Sequence, residues 1–271
     1  MFQQPSDFRD ESNALYQLLS ALEDRDFERT TQFKSWSIND ILRHLHLWNW
    51  AADCALRDEA AFLRFMSDLR TQIASGNMRS VEKQWCKGLA GRALLTSWQQ
   101  LFDETAQHFS TADPRQRVKW AGPDMSVRSS ITARLMETWA HGQAIYDLLG
   151  AERQDHDRIR NIAVLGVNTF GWTFATRKQE APSPVPHVRL TAPSGELWEM
   201  NEERDGHLIE GSATEFCQVV TQVRNIADTR LRVVGEPARL WMSIAQCFAG
   251  PPNPPPAPGT RFVQKAAGVN Q

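Results

Sequence analysis

Glu137 and His141 are the residues of this chain whose types and spacing most directly suggest chemistry, because they lie four positions apart in a helical pattern. An α-helix turns by about 100° per residue, so such a pair projects from nearly the same face. A carboxylate and an imidazole held side by side are two ligands for a divalent metal ion. A third ligand from another helix would complete a two-histidine, one-carboxylate site with room for water or a substrate. The same pair also occurs on exposed helices as a weak charge contact, so the pattern alone leaves both interpretations open.

A third ligand is available on the helix predicted over residues 38–58, which carries two histidines. On a helical wheel His44 lies among apolar side chains, whereas His46 lies near Asn39 and Asp53 and is predicted to face solvent. A buried imidazole needs a hydrogen-bond partner or a metal ion, because burial without one is costly. His44 is therefore either a metal ligand or a core histidine that is hydrogen-bonded to a neighbouring helix.

Arg134 lies one helical turn before Glu137, on the same polar stripe. This stripe has two interpretations. It is either a solvated face that holds an Arg134–Glu137 ion pair, or the lining of a cavity in which Arg134 binds an anionic substrate through two hydrogen bonds. The periodicity of the helix does not choose between them.

Four long amphipathic helices are predicted to position these residues, and together they indicate a helix bundle. Ser37 is the expected N-terminal cap of the second helix, and Gly150 the expected C-terminal cap of the fourth. The predicted helices cover approximately residues 8–23, 38–58, 89–109 and 126–149.

The remainder of the chain changes character at the proline-containing linker 181–186. A hairpin, a third and a fourth short strand and two helices are expected after it, which make a small α+β domain. The predicted organisation is a metal-binding helix bundle (1–152), a connecting helical segment (153–180), the small α+β domain (181–250) and a proline-rich tail (251–271).

The composition favours a protein that handles small molecules. A formal net charge of -2 over 271 residues offers no electrostatic attraction for nucleic acid or an anionic membrane. No apolar run is long enough to span a bilayer and no signal peptide is evident, so a cytoplasmic location is expected. Small bundles commonly dimerise, which allows a homodimer. The cysteines form no Cys-x-x-Cys pair, which disfavours a thiolate zinc site; they are Cys54, Cys86, Cys217 and Cys247.

Separate blocks of the sequence resemble the mycothiol-dependent maleylpyruvate isomerase N-terminal family, within the DinB-like superfamily. In the first block Trp36 is followed by Asp40 and then His44, as in the second-helix signature of that family. The block 134–143 looks like the fourth-helix signature of a subgroup known only as metal-binding proteins. The distal segments 215–222 and 245–252 are similar to the C-terminal region of that subgroup.

The resemblance implies a mainly α protein in which a DinB-like four-helix bundle is followed by a small α+β C-terminal domain. It also implies that His44, Glu137 and His141 hold Zn²⁺ or another divalent ion. Many relatives carry Asp three residues after the second metal histidine, whereas this chain has Ala144. Any task of that Asp is therefore absent here or is performed by another residue.

The resemblance further implies a thiol-dependent isomerase or S-transferase that uses a low-molecular-weight thiol on a small electrophilic substrate, with Arg134 binding a substrate carboxylate. Two alternatives remain open. One is a metal-dependent hydrolase or hydratase that uses metal-bound water. The other is a non-catalytic metal-binding sensor module, although a structural zinc usually has four protein ligands.

Overall fold

Long helices dominate the first part of the chain. The computed structural model describes residues 2–75 and 77–264, without the side chains of residues 73–75. The long helices are α1 (Gln4–Ser20), α2 (Ile38–Arg57), α5 (Gly91–Thr111) and α6 (Val127–Leu149). Each overlaps one of the four predicted helices, and α5 packs against both α1 and α2. The prediction of a mainly α protein with a small β part is confirmed.

Two further helices lie between α2 and α5, in a segment for which the sequence analysis predicted none. They are α3 (Glu59–Ser75) and α4 (Met78–Trp85). α3 buries Phe62, Met66 and Leu69, which recur at helical spacing, against residues of α2. α4 is short, and Asn77 caps it by accepting a hydrogen bond from the backbone N–H of Ser80. Both helices cover one side of α2.

The start of α2 is fixed by its own sequence. The hydroxyl of Ser37 accepts a hydrogen bond from the backbone N–H of Asp40, and the Asp40 carboxylate accepts one from the backbone N–H of Ser37. This capping box satisfies two backbone donors that the helix leaves unpaired. The predicted cap is confirmed.

A further contact joins α2 to the start of α5, where Asn39 accepts a hydrogen bond of 2.8 Å from the buried N–H of Gly91.

A short antiparallel pair of strands precedes α6, formed by β1 (Arg117–Val118) and β2 (Met125–Ser126).

The core of this part of the chain is rich in aromatic residues. Its fully buried rings include Phe8, Phe27, Phe102, Phe109, Trp98 and Trp139. Residues Met1–Ile145 form one compact unit, and the second begins at Tyr146, within the last turns of α6.

The second unit has a four-stranded mixed sheet. Its helices are α7 (Arg160–Asn168), α8 (Phe170–Ala175), α9 (Ala213–Val220) and α10 (Glu236–Ile244), and its strands are β3 (His187–Thr191), β4 (Leu197–Met200), β5 (Leu208–Ser212) and β6 (Arg232–Val234). The strand order is β4-β3-β5-β6; β3 and β4 form the predicted hairpin, and β5 runs parallel to β3. The connecting helical segment is broken at Thr169 into α7 and α8.

The proline-rich segment that follows residue 250 is irregular as far as residue 264. It is held by side chains of its own unit: Asn253 bonds to Gln222, Gln246 and Arg177. Within residues 2–75 and 77–264, no helix has both the length and the apolar character needed to cross a membrane.

Candidate metal centre

His44, Glu137 and His141 converge from two helices. α2 supplies His44, and α6 supplies the other two from adjacent turns of one face. The Glu137 Oε2 atom lies 3.1 Å from Nε2 of His141 and 3.5 Å from Nε2 of His44. One ligand atom from each residue lies within 4.8 Å of the other two. The three side chains are 12 to 19% exposed, so the cluster is shielded but open to a small molecule.

Aromatic rings surround the two imidazoles. The Trp36 ring lies parallel to the His141 ring, with 2° between the planes and 5.7 Å between centroids, and Phe33 meets His141 edge-on at 4.9 Å. The Trp48 ring lies 6.3 Å from the His44 ring, centroid to centroid. Trp36 is fixed by a tight loop, because its carbonyl accepts bonds from both the backbone N–H and the hydroxyl of Thr31. The rings around the cluster are therefore aromatic, and the loop that carries Trp36 is held by hydrogen bonds from Thr31.

Glu82, on α4, contacts His44 from the side opposite to Glu137. Its Oε1 atom lies 2.8 Å from Nδ1 of His44, and its side chain is 1% exposed. The second oxygen, Oε2, is buried without a hydrogen-bond partner. The sequence analysis did not identify Glu82. It lies on a different, short helix, with no spacing motif that connects it to His44, so only the packing of α4 on α2 reveals it.

The charges of the cluster shift the pKa values of its members. Burial alone would lower the pKa of His44, but the carboxylates of Glu82 and Glu137 raise it to about 9. Burial would raise the pKa of Glu137, yet hydrogen bonds to both histidines hold it well below its ordinary range. Burial lowers the pKa of His141, with only partial compensation by Glu137. The carboxylate of Glu137 is therefore ionised and available as a ligand at neutral pH.

The donor set fits a divalent transition-metal ion. Two imidazole nitrogens and one carboxylate oxygen suit zinc and several other first-row ions. The Nε2 atoms of His44 and His141 both face the same oxygen of Glu137, so all three donors are directed at a common region. His44, Glu137 and His141 could together hold such an ion. That they do so, and that the ion is zinc, stay predictions.

Arg134 is buried next to this cluster. It is 4% exposed, and its Nε and Nη1 atoms have no hydrogen-bond partner. Its guanidinium lies 5.0 Å from the centroid of the Trp120 ring. Burial lowers the pKa of Arg134, while the charge of Glu137 partly opposes that shift. The interpretation of this stripe as a solvated face is therefore wrong, and the interpretation as a substrate-binding surface stays a prediction.

The expectation that His46 faces solvent is also wrong. His46 is 8% exposed and packs edge-on against Trp85, with 5.6 Å between centroids. Its polar neighbours on the wheel, Asn39 and Asp53, are buried as well. The physical reason is that α4 and α5 cover this side of α2. Its polar residues had predicted a solvent-exposed face.

The fold and the cluster together define a helix-bundle protein with a His/Glu centre between two of its helices. The chain belongs to the mycothiol maleylpyruvate isomerase N-terminal domain family, whose model matches residues 8–146. Two curated proteins of Mycobacterium tuberculosis, from different strains and both named uncharacterized, are each 34% identical to this chain over 250 residues. The alignment covers 91% of this chain and 95% of each relative.

Solved structures with the same fold include mycothiol-dependent maleylpyruvate isomerase, with a TM-score of 0.52 and 16% identity. A histidine-to-alanine mutant of that enzyme gives a TM-score of 0.51 and 15% identity. Each comparison covers 80% of this chain and 87% of the solved chain. At this identity the likeness shows the fold alone. The family predicted from the sequence is confirmed.

Proposed function

We propose that this chain is a divalent-metal-dependent enzyme that uses a low-molecular-weight thiol to transform a small, electrophilic, anionic substrate, as a thiol-dependent isomerase or S-transferase. The observation that carries the proposal is the convergence of His44, Glu137 and His141, whose ligand atoms lie within 4.8 Å of one another. The family name and the solved relatives, which are mycothiol-dependent, support a thiol as the second component.

The residues of the site have separate proposed roles. His44, Glu137 and His141 would hold the ion, which when bound supplies a Lewis acid that lowers the pKa of a thiol. Arg134 would bind a substrate carboxylate, because its buried Nε and Nη1 atoms have no hydrogen-bond partner of their own. Trp36 packs against the His141 ring and shields one side of the cluster from solvent. Interactions with charged groups become stronger in such an enclosed site.

A thiol suits isomerisation because it can be returned unchanged. Its sulfur adds to one carbon of an activated double bond, and the electron pair of that bond moves toward the conjugated carbonyl. Rotation about the resulting single bond, followed by expulsion of the thiolate, restores the double bond in the other geometry. In an S-transferase the carbon–sulfur bond is kept instead. Either reaction requires an anion-binding group beside the thiol, which is the role proposed for Arg134.

The test combines elemental analysis with an activity assay on the purified full chain. We expect about one zinc or similar ion per chain, and turnover of maleylpyruvate that requires mycothiol. Exchanging His141 for Ala should remove both, whereas His108→Gln, which changes a histidine outside the cluster, should remove neither. A metal content near zero in protein never exposed to chelators would refute the metal-dependent function. Turnover that persists after all small thiols are removed would instead support the hydrolase or hydratase alternative.

The sensor alternative receives less support from the cluster. It presents three candidate ligands in the described part of the chain, and structural zinc sites usually have four. The substrate, the thiol, a homodimer and a cytoplasmic location stay predictions. Ala144, where many relatives have Asp, offers no acid or base. Proton transfer in this chain therefore falls to another group.

A further inference from the structure

We infer that Glu82 is a positioning residue for the metal centre: its carboxylate holds the Nδ1–H group of His44 and thereby directs Nε2 of that ring at Glu137 and His141. This inference rests on the proposed metal-dependent function and assigns to it a residue outside the three ligands. The contact joins Oε1 of Glu82 to Nδ1 of His44 at 2.8 Å, on a side chain that is 1% exposed.

The hydrogen bond determines which nitrogen of His44 can bind metal. A carboxylate oxygen only accepts, so the proton of this bond lies on Nδ1 and the lone pair of the neutral ring lies on Nε2. Nε2 is the atom that faces Glu137, 3.5 Å from its Oε2. Metal-binding histidines characteristically donate their other N–H to a carboxylate or carbonyl, which fixes both the tautomer and the orientation of the ring. Glu82 provides this acceptor.

The burial of Glu82 supports the same role. A buried carboxylate needs charge compensation, and the Oε2 atom of Glu82 has no hydrogen-bond partner. A metal ion on Nε2 of His44 would make its Nδ1–H group a stronger donor and would so compensate this carboxylate. The charges also balance, because the two positive charges of the ion would offset the two negative charges of the Glu82 and Glu137 carboxylates. Arg134 then adds one positive charge for an anionic ligand.

α4 places this group in the interior, since its two buried residues are Val81 and Glu82. The cap at Asn77 fixes the beginning of the helix about one turn earlier. α4 therefore packs on α2 through Val81 and at the same time places the Glu82 carboxylate against His44. A positioning role of this kind predicts an effect on metal affinity and not only on stability.

The test is zinc affinity, measured by competition with a chromophoric chelator on the full chain. Glu82→Gln is nearly isosteric and keeps an acceptor without the charge, and we expect about tenfold weaker zinc binding. Glu82→Leu removes the acceptor and should weaken binding by up to about 100-fold. The matched control is Asp53→Asn, because Asp53 contacts Nδ1 of His108 at 2.7 Å from the same helix α2, away from the cluster. It should bind zinc as tightly as the wild type.

A second readout separates positioning from stability. In the zinc-loaded wild type, the Nδ1–H proton of His44 should give a downfield, slowly exchanging NMR signal, which Glu82→Leu abolishes. Should the leucine variant fail to fold, Glu82→Gln alone decides. Wild-type zinc affinity in Glu82→Gln, or an equal loss in Asp53→Asn, would overturn the inference while the proposed function stands. A wild-type chain that binds no zinc would instead overturn the proposed function.

Discussion

Arg134 is a residue whose burial is costly for the fold and useful for binding. Arg134 is 4% exposed, and its guanidinium has two unpartnered donor atoms. Replacing it with Met should therefore raise the free energy of unfolding by about 1 kcal/mol, because an incompletely paired buried charge is removed. The same change should raise the KM for an anionic substrate by about tenfold or more.

Urea unfolding and steady-state kinetics check both effects of Arg134→Met. Arg134→Lys keeps the charge but loses the planar set of guanidinium donors, so its KM should lie between those of the wild type and the Met variant. A lower stability of Arg134→Met with an unchanged KM would contradict the expectation.

His46 should make the metal-free protein sensitive to mild acid. Burial lowers the pKa of His46 from 6.5 to about 4, so between these values the unfolded chain binds a proton that the folded chain does not. The contribution of His46 to stability is therefore complete above pH 6.5 and is lost as the pH falls toward 4. At pH 5 this loss amounts to about 2 kcal/mol.

The measurement for His46 is urea unfolding at pH 7 and pH 5 in the presence of a chelator. In His46→Gln the side chain at position 46 does not titrate, so this variant should lose less stability than the wild type on acidification. His108→Gln leaves His46 in place and should keep the full effect. An identical pH dependence in the wild type and His46→Gln would exclude this explanation.

The sequence supported some residue-level predictions and not others, for physical reasons. His44 was placed on the inner side of α2 by its apolar neighbours, and it does meet Glu137 and His141. The polar side of the same helix was predicted to face solvent, but α4 and α5 bury it together with His46. Hydrophobic periodicity detects apolar faces and cannot detect a polar face that other helices cover. Glu82 was missed for another reason: it lies on the short helix α4, and no spacing motif connects it to His44.

At the scale of elements, the cap of α2 should contribute stability without taking part in the metal site. Ser37→Ala removes the acceptor for the N–H of Asp40 and should lower the free energy of unfolding by about 1 kcal/mol. Zinc affinity should stay within about twofold of the wild type, since His44 lies about two turns further along. Thermal unfolding and zinc titration test this.

Ser37→Thr is the matched control for this cap, because threonine provides the same hydroxyl acceptor and should keep most of the stability. A variant Ser37→Ala that is as stable as the wild type would show that tertiary packing alone sets the start of α2.

The long helices could be predicted because each carries a sustained apolar pattern, and α2 and α6 also carry terminal signals at Ser37 and Gly150. α4 has 8 residues, too few for periodicity to stand out from a loop. α3 does carry a helical pattern in Phe62, Met66 and Leu69, but no helix was predicted there. The strands of the second unit were found because their turns are marked by glycine and proline.

At the scale of the whole molecule, all three candidate ligands and Glu82 lie in the unit Met1–Ile145. A fragment of residues 1–152, which keeps α6 intact to Leu149 and includes Gly150, should therefore bind one zinc ion with an affinity within a few-fold of that of the full chain. Zinc titration of the fragment, with circular dichroism to verify its helices, tests this. A folded fragment with no zinc affinity would show that residues beyond 152 complete the site.

The flat packing of the Trp36 indole on the His141 imidazole has an optical consequence. Indole emission responds to a metal ion bound nearby, so occupancy of the centre should be visible as a change in intrinsic fluorescence. Trp36→Phe, which leaves the other nine tryptophans in place, would identify the part of the signal that comes from this ring. The protein thus carries its own spectroscopic probe, and metal loading can be followed without any added dye.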